Sequence, residues 1–168
     1  KKHSFAHLEK IAQASAGTLK LFKANLLENG SFDEAMQGCE IVLHMASPFV
    51  VTNYKDAVKD IIEPAILGTE NVLNSVNKTE SVKRVVVTSS IASTYGDAVD
   101  ILNTEHNEFD ESHWNTTSST THQPYPYSKV MAERKAWDMA KAQDRWTLVC
   151  VNPALVLGAS LTPNTQSG

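Results

Sequence analysis

Tyr125 and Lys129, in the stretch Tyr125-Pro126-Tyr127-Ser128-Lys129, place a phenol and an ammonium one helical turn apart on the same face. A neighbouring cation favours the phenolate. The spacing therefore predicts a Tyr125 pKa lowered from about 10 toward the working range, and a side chain able to give and take a proton. Such a spacing is common, and its surroundings must decide its meaning. Upstream, Lys83-Arg84-Val85-Val86-Val87-Thr88-Ser89-Ser90 is a β-branched, continuously apolar run that stops at three hydroxyls. That is the pattern of a parallel strand buried on both faces. The carboxyl ends of such strands line the ligand crevice of open α/β sheets, so Ser90 is placed to hydrogen-bond a substrate carbonyl that Tyr125 protonates. Without Tyr125 and Lys129, the hydroxyls would do no more than end a strand or cap a helix. Tyr127 lies about 200° around a helix from Tyr125 and cannot face the same carbonyl.

The elements that must hold these residues alternate along the chain. Ser4 to Ala14 has helical spacing of Phe5, Leu8, Ile11 and Ala12, and Thr18 to Lys23 alternates as a short strand. Ser31 followed by Glu34 is a capping-box signature for a short helix closing near Gly38, and Ile41 to Met45 reads as the next strand. Asp56 to Asn77 is a long helical pattern in which Pro64 marks a kink or the first turn. After Ser90 comes a polar segment to Gln123, in which hydroxyl-rich Thr116 to Thr121 reads as a mobile loop. A helix from about Pro124 to Gln143, the strand Thr147 to Val151 and a turn at Asn152-Pro153 follow. This alternation predicts an α/β chain, a doubly wound, Rossmann-like parallel sheet with helices on both faces.

Ser90, Tyr125 and Lys129 resemble the catalytic triad of the short-chain dehydrogenase/reductase superfamily, and the surrounding words resemble its extended branch. Gly30-Ser31-Phe32-Asp33-Glu34-Ala35, Gly38-Cys39, His44-Met45-Ala46-Ser47-Pro48, Phe109-Asp110-Glu111-Ser112-His113-Trp114 and Ala132-Glu133-Arg134-Lys135-Ala136-Trp137 are similar to dihydroflavonol reductases, cinnamoyl-CoA reductases and related aldehyde or ketone reductases. The resemblance implies reduction of a small-molecule carbonyl by NADPH, with NADH as the other candidate. Ser90 and Tyr125 would then polarise the oxygen, Tyr125 deliver the proton, and Lys129 hold the phenol pKa low and bind the nicotinamide ribose.

The resemblance also implies a cofactor cradle. Asn25 and Leu26 follow the third strand where the family has Asp-Leu at the adenine, and Asn25 departs from that pattern while keeping an acceptor oxygen. Ala46, Ser47 and Pro48 would pass beneath the adenosine ribose and pyrophosphate. Thr88 joins them by resemblance, and Pro153, Ala154 and Val156 would line the nicotinamide pocket. Lys1 or Lys2 would lie near an adenosine phosphate, or be merely solvated. Tyr95, beyond Ser90, would line the substrate pocket or pack within its loop.

Length sets a limit on these expectations. The chain has 168 residues and no Gly-x-Gly-x-x-Gly fingerprint, whereas the family it resembles is about twice as long. Residues 1–168 are therefore expected to be the central part of a nucleotide-binding domain, incomplete at both ends. The first two strands, the glycine loop and a carboxyl-terminal substrate domain would lie outside it. In the strand order 3-2-1-4-5-6 the two missing strands would separate Thr18–Lys23 from Ile41–Met45 and split the sheet.

Composition excludes other classes. A net charge of −4 gives no basic footprint for nucleic acid, and no apolar run spans a bilayer, so a cytoplasmic protein is expected. Cys39 and Cys150 adjoin apolar stretches as buried reduced thiols, and the six histidines show no metal-ligand spacing, His44 reading as a packed strand residue. Asp97, Asp100, Glu105, Glu108, Asp110 and Glu111 read as a solvated acidic loop. The two long helices suit a homodimer interface or an intramolecular core equally. A sugar-nucleotide epimerase or dehydratase and a non-catalytic nucleotide sensor are the alternative functions.

Overall fold

The computed structural model describes residues 5–48 and 53–159, so Lys1 and Lys2 lie outside the described residues. The chain divides into two units, Lys1–Lys23 with Leu155–Gly168, and Ala24–Ala154. In the first unit, α1 (Ala6–Gln13) forms as its spacing predicts, but Leu8 and Ile11 remain exposed. The strand expected at Thr18 to Lys23 does not form. Residues 18–25 carry no helix or strand, because a strand needs a ladder partner and none of the described strands pairs with this segment.

The second unit holds the sheet. Helix α2 (Asp33–Met36) starts from Phe32 without the expected capping box, since Ser31 Oγ instead accepts the backbone N–H of Asn25 at 2.5 Å. Asp33 ties α2 to the long helix, accepting from Ser75 Oγ and, at 2.9 Å, from Lys78 Nζ. Gly38 ends the turn with φ of 75°, a conformation that side chains disfavour. Strand β1 (Ile41–His44) follows. A π-helical turn, Val58–Ile62, leads directly into α3 (Glu63–Lys78), with Pro64 in the first turn of α3. Strand β2 (Arg84–Thr88), short 3₁₀ turns at Ile91–Ser93 and Ala98–Asn103, α4 (Pro124–Lys141) and β3 (Thr147–Val151) complete the unit.

The strands form a parallel sheet in the order β1-β2-β3, with His44 beside Val87 and Val87 beside Cys150. Val85, Val87 and Leu148 face the core with Val72, Leu73, Val76, Ala136 and Trp146, where each fully buried aliphatic side chain stabilises by roughly 1.5–3 kcal/mol. Arg145 locks the carboxyl end of α3 by donating to the carbonyls of Val76 (2.9 Å), Asn77 (3.2 Å), Thr79 (2.7 Å) and Val82 (3.0 Å). Those carbonyls include helix-end acceptors with no partner in the helix itself.

One expectation is corrected by this arrangement. Strand β2 is not buried on both faces, because Val86 is only half-buried between buried Val85 and Val87, and its neighbours on that face, Leu43 and Val149, remain 61% and 42% exposed. The hydroxyl-rich stretch after β2 forms an irregular, mostly exposed loop that is tied down at its start. Asn115 donates through its backbone to Ser93 O and through Nδ2 to Ala92 O, while Oδ1 accepts the N–H groups of Thr117 and Ser118. Polar side chains that find backbone partners at short range anchor a loop as an apolar contact would.

Candidate active site

Two prolines begin the helix that carries the chemistry. Pro124 and Pro126 occupy the first turn of α4, where proline removes no intrahelical hydrogen bond, so the helix can start at Pro124 and carry Tyr125 in that turn. Gln123 precedes it in a left-handed conformation, φ 54°, held by Nε2 donating to Asp97 Oδ1 at 2.7 Å. Ser128 is buried and donates to the Tyr125 carbonyl at 2.7 Å. These contacts fix Tyr125 at the open end of α4, with Lys129 one turn deeper.

Ser90 arrives from the other side. It terminates β2 in extended backbone, φ −163° and ψ 151°, and caps the following 3₁₀ turn by accepting Ala92 N–H at 3.2 Å. Its hydroxyl reaches Tyr125 closely enough to act against the upward push of burial on the phenol pKa. Lys129, only 7% exposed, holds its Nζ over the Tyr125 ring at 5.5 Å from the centroid and donates to Ser47 Oγ at 2.8 Å. The structure thus brings Ser90, Tyr125, Lys129 and Ser47 into one cluster from separate segments.

The electrostatics differ from the expectation. Tyr125 is not driven toward phenolate: burial raises its pKa above 10.0, and Ser90 only partly opposes this. Tyr125 is consequently a protonated phenol at neutral pH, the form that can donate. Burial depresses Lys129 from 10.5 to about 8. His44, packed at the end of β1, is lowered to about 4 by burial and then by Lys129, so it stands as a neutral imidazole beside the ammonium.

The remaining predicted positions separate. Ser47 and Pro48 are half-buried, Ser47 through its hydroxyl being the partner of Lys129, and Ala46 is exposed. Asn25 is exposed at the surface of its unit with Oδ1 already accepting Leu27 N–H at 3.1 Å, which leaves one lone pair for a further donor. Leu26 packs against Gly68 and gives its carbonyl to Asn71 Nδ2 at 3.1 Å. Thr88 ends β2 beside Val151, Pro153 O accepts Ile91 N–H at 3.0 Å, and Ala154 is exposed. Val156, in the other unit, is 76% exposed. Tyr95 stacks on Phe109, centroids 4.8 Å apart, and lines a cavity of about 190 Å³ with Asp100, Asn103 and Trp114. A cofactor's ribose fits this arrangement in one respect: an ammonium with three protons, one committed to Ser47, has two left to donate.

One residue of this site is not signalled by its sequence pattern alone. Glu133, within the stretch Ala132–Trp137, is buried and gathers hydroxyl, amide and indole donors. Its position one turn after Lys129 is a signal, but a glutamate on a helix ordinarily faces water.

A family model described as the NAD dependent epimerase/dehydratase family matches residues 1–168. The chain belongs to that family. It is 40% identical to anthocyanidin reductase of Arabidopsis thaliana over 96% of this chain and 47% of that protein. It is 43% identical to cinnamoyl-CoA reductase of Medicago truncatula over 94% of this chain and 47% of that protein. Among solved structures, a yeast methylglyoxal/isovaleraldehyde reductase complexed with NADPH superposes with a TM-score of 0.68 at 28% identity, covering 86% of this chain and 45% of the other. The chain spans about half the length of the curated relatives it matches. The Rossmann-like parallel sheet with its helices is the fold these relatives share.

Proposed function

We propose that this chain carries the catalytic centre of an NADPH-dependent reductase, with NADH as the alternative cofactor, that converts an aldehyde or ketone carbonyl to an alcohol. The observation that carries the reading is the cluster in which buried Lys129 holds its ammonium over the Tyr125 ring, 5.5 Å from the centroid, with Ser90 close enough to influence the phenol. The nicotinamide supplies a hydride when bound. Ser90 and Tyr125 donate hydrogen bonds to the substrate oxygen, and Tyr125, kept protonated by burial, gives its proton to that oxygen as negative charge grows there. Lys129, with one N–H donated to Ser47, would have two left to hold the ribose hydroxyls of the bound cofactor. The half-buried Ser47 and Pro48, the exposed Ala46 and the remaining lone pair of Asn25 support contacts to the adenosine half.

The names of the relatives, among them anthocyanidin reductase, cinnamoyl-CoA reductase and dihydroflavonol 4-reductase, favour reduction over epimerisation. In a polypeptide spanning the relatives' full length, Tyr125→Phe is expected to lose turnover by at least about a hundredfold while NADPH binding survives. Tyr127→Phe, on the opposite side of α4, should retain turnover. An active Tyr125→Phe enzyme refutes the proposal.

A further inference from the structure

Glu133 lies one turn beyond Lys129 on α4, is 7% exposed, and turns its carboxylate into the protein. A buried carboxylate is costly unless its oxygens are satisfied, and here both are. Oε2 accepts from Ser89 Oγ at 2.5 Å, Ser93 Oγ at 2.6 Å and Asn152 Nδ2 at 3.0 Å, and Oε1 accepts the Trp137 indole N–H at 3.3 Å. Three of these donors belong to three different segments: the exit of β2, the 3₁₀ turn, and the exit of β3.

The same donors grip Ser90. Ser93 N–H donates to the Ser90 carbonyl at 2.9 Å and Asn152 Nδ2 at 3.1 Å, while the single Ser93 hydroxyl proton has Glu133 Oε2 at 2.6 Å and this carbonyl at 2.8 Å as alternative acceptors. Ser90 is thus framed by groups that converge on one carboxylate, and that carboxylate is fixed to the helix bearing Tyr125. The two hydroxyls that must share a substrate oxygen belong to different elements, β2 and α4, so their separation depends on whatever couples those elements at this end of the sheet.

We propose that Glu133 is a positioning residue for the Ser90–Tyr125 pair, clamping Ser89, Ser93 and Asn152 onto α4 so that the Ser90 hydroxyl is held close to the phenol. The inference rests on the carbonyl-reduction reading above. Misplacing a reacting group by about 1 Å can cost up to about a hundredfold in rate, so the effect belongs in kcat rather than in cofactor affinity.

The test is a double-mutant cycle in a polypeptide of the relatives' full length: Glu133→Gln, Ser90→Ala and their combination, with kcat and the KM for NADPH measured for each. Glu133→Gln keeps the shape but turns an amide donor toward existing donors. It should lower kcat about 10- to 100-fold and change KM by less than about twofold. In the Ser90→Ala background it should change kcat by less than about twofold, because its effect passes through Ser90. Penalties that multiply, or a loss carried in KM, overturn the inference and leave Glu133 a plain buttress of the core. If Glu133→Gln no longer binds NADPH and so has lost its fold, Ser93→Ala, which keeps the carboxylate and removes one link to Ser90, is taken through the same cycle with the same criteria. Tyr125→Phe is measured alongside. Retained turnover there overturns the reduction reading and this inference together, whereas lost turnover with multiplying penalties overturns the inference alone.

Discussion

Replacing Lys129 by Met should make the fold more stable at neutral pH while removing the function proposed for it. The ammonium is 7% exposed, and burial depresses its pKa from 10.5 to about 8. At about 1.36 kcal/mol per pH unit, holding that charge inside the folded protein at pH 7 costs about 3 kcal/mol. Against this, the substitution removes the 2.8 Å hydrogen bond to Ser47, about 1 kcal/mol, and the contact with the Tyr125 ring, about 0.5–1 kcal/mol. Methionine retains most of the apolar stem, so a net gain of about 1 kcal/mol is expected at pH 7. The pH dependence is the sharper signature. Between about 8 and 10.5 the unfolded chain holds the Lys129 proton and the folded chain does not, so wild-type stability rises with pH through this window. The Lys129→Met variant lacks that contribution, and its advantage should shrink above pH 8 and reverse by about pH 10.5. Urea denaturation followed by tryptophan fluorescence at pH 7, 9 and 10.5 measures the difference directly, with all other titrating groups common to both proteins. Stability curves that run parallel from pH 7 to 10.5 would refute the claim that the cost of burying the ammonium outweighs the contacts it makes.

Arg145→Ala strips four carbonyls of a donor at the end of α3 and should destabilise by about 2–4 kcal/mol, seen as a lower urea midpoint at unchanged slope. Arg145→Lys should recover only part of this, since one ammonium cannot reproduce the planar fork; full recovery contradicts the assignment. Cys150 has its thiol pushed up to about 12, first by burial and then by the Glu133 carboxylate. In a Cys39→Ser background at pH 8, iodoacetamide should modify this half-buried thiol at least about tenfold more slowly in the folded protein than in urea, and equal rates by mass spectrometry would rule out the raised pKa.

Much of this molecule is written in local pattern. The β-branched run ending at Ser90, the apolar run from Ile41 to Met45, the apolar spacing of α3 and the prolines on either side of Tyr125 each act within a few residues, and strands β1 and β2 and helix α4 begin and end close to where those patterns place them. Tyr125 and Lys129 share a face because helix geometry alone puts them there. What sequence could not determine depends on distant partners. The segment at Thr18 to Lys23 has strand composition, yet a ladder needs a second strand, and none of the described strands pairs with it. The capping box at Ser31 and Glu34 loses its serine to the Asn25 backbone, a competitor that turn geometry supplies. The Tyr125 pKa moves opposite to the expectation for a related reason. Spacing along a helix gives proximity of Lys129, but only the folded environment decides how deeply the phenol is buried, and burial is what raises its pKa. Glu133 is the same lesson in reverse. Its residue type and helical position indicate a solvated side chain, and it becomes a buried acceptor because β2, β3 and the turn after Ser90 all end where α4 passes, a convergence that no stretch of sequence contains.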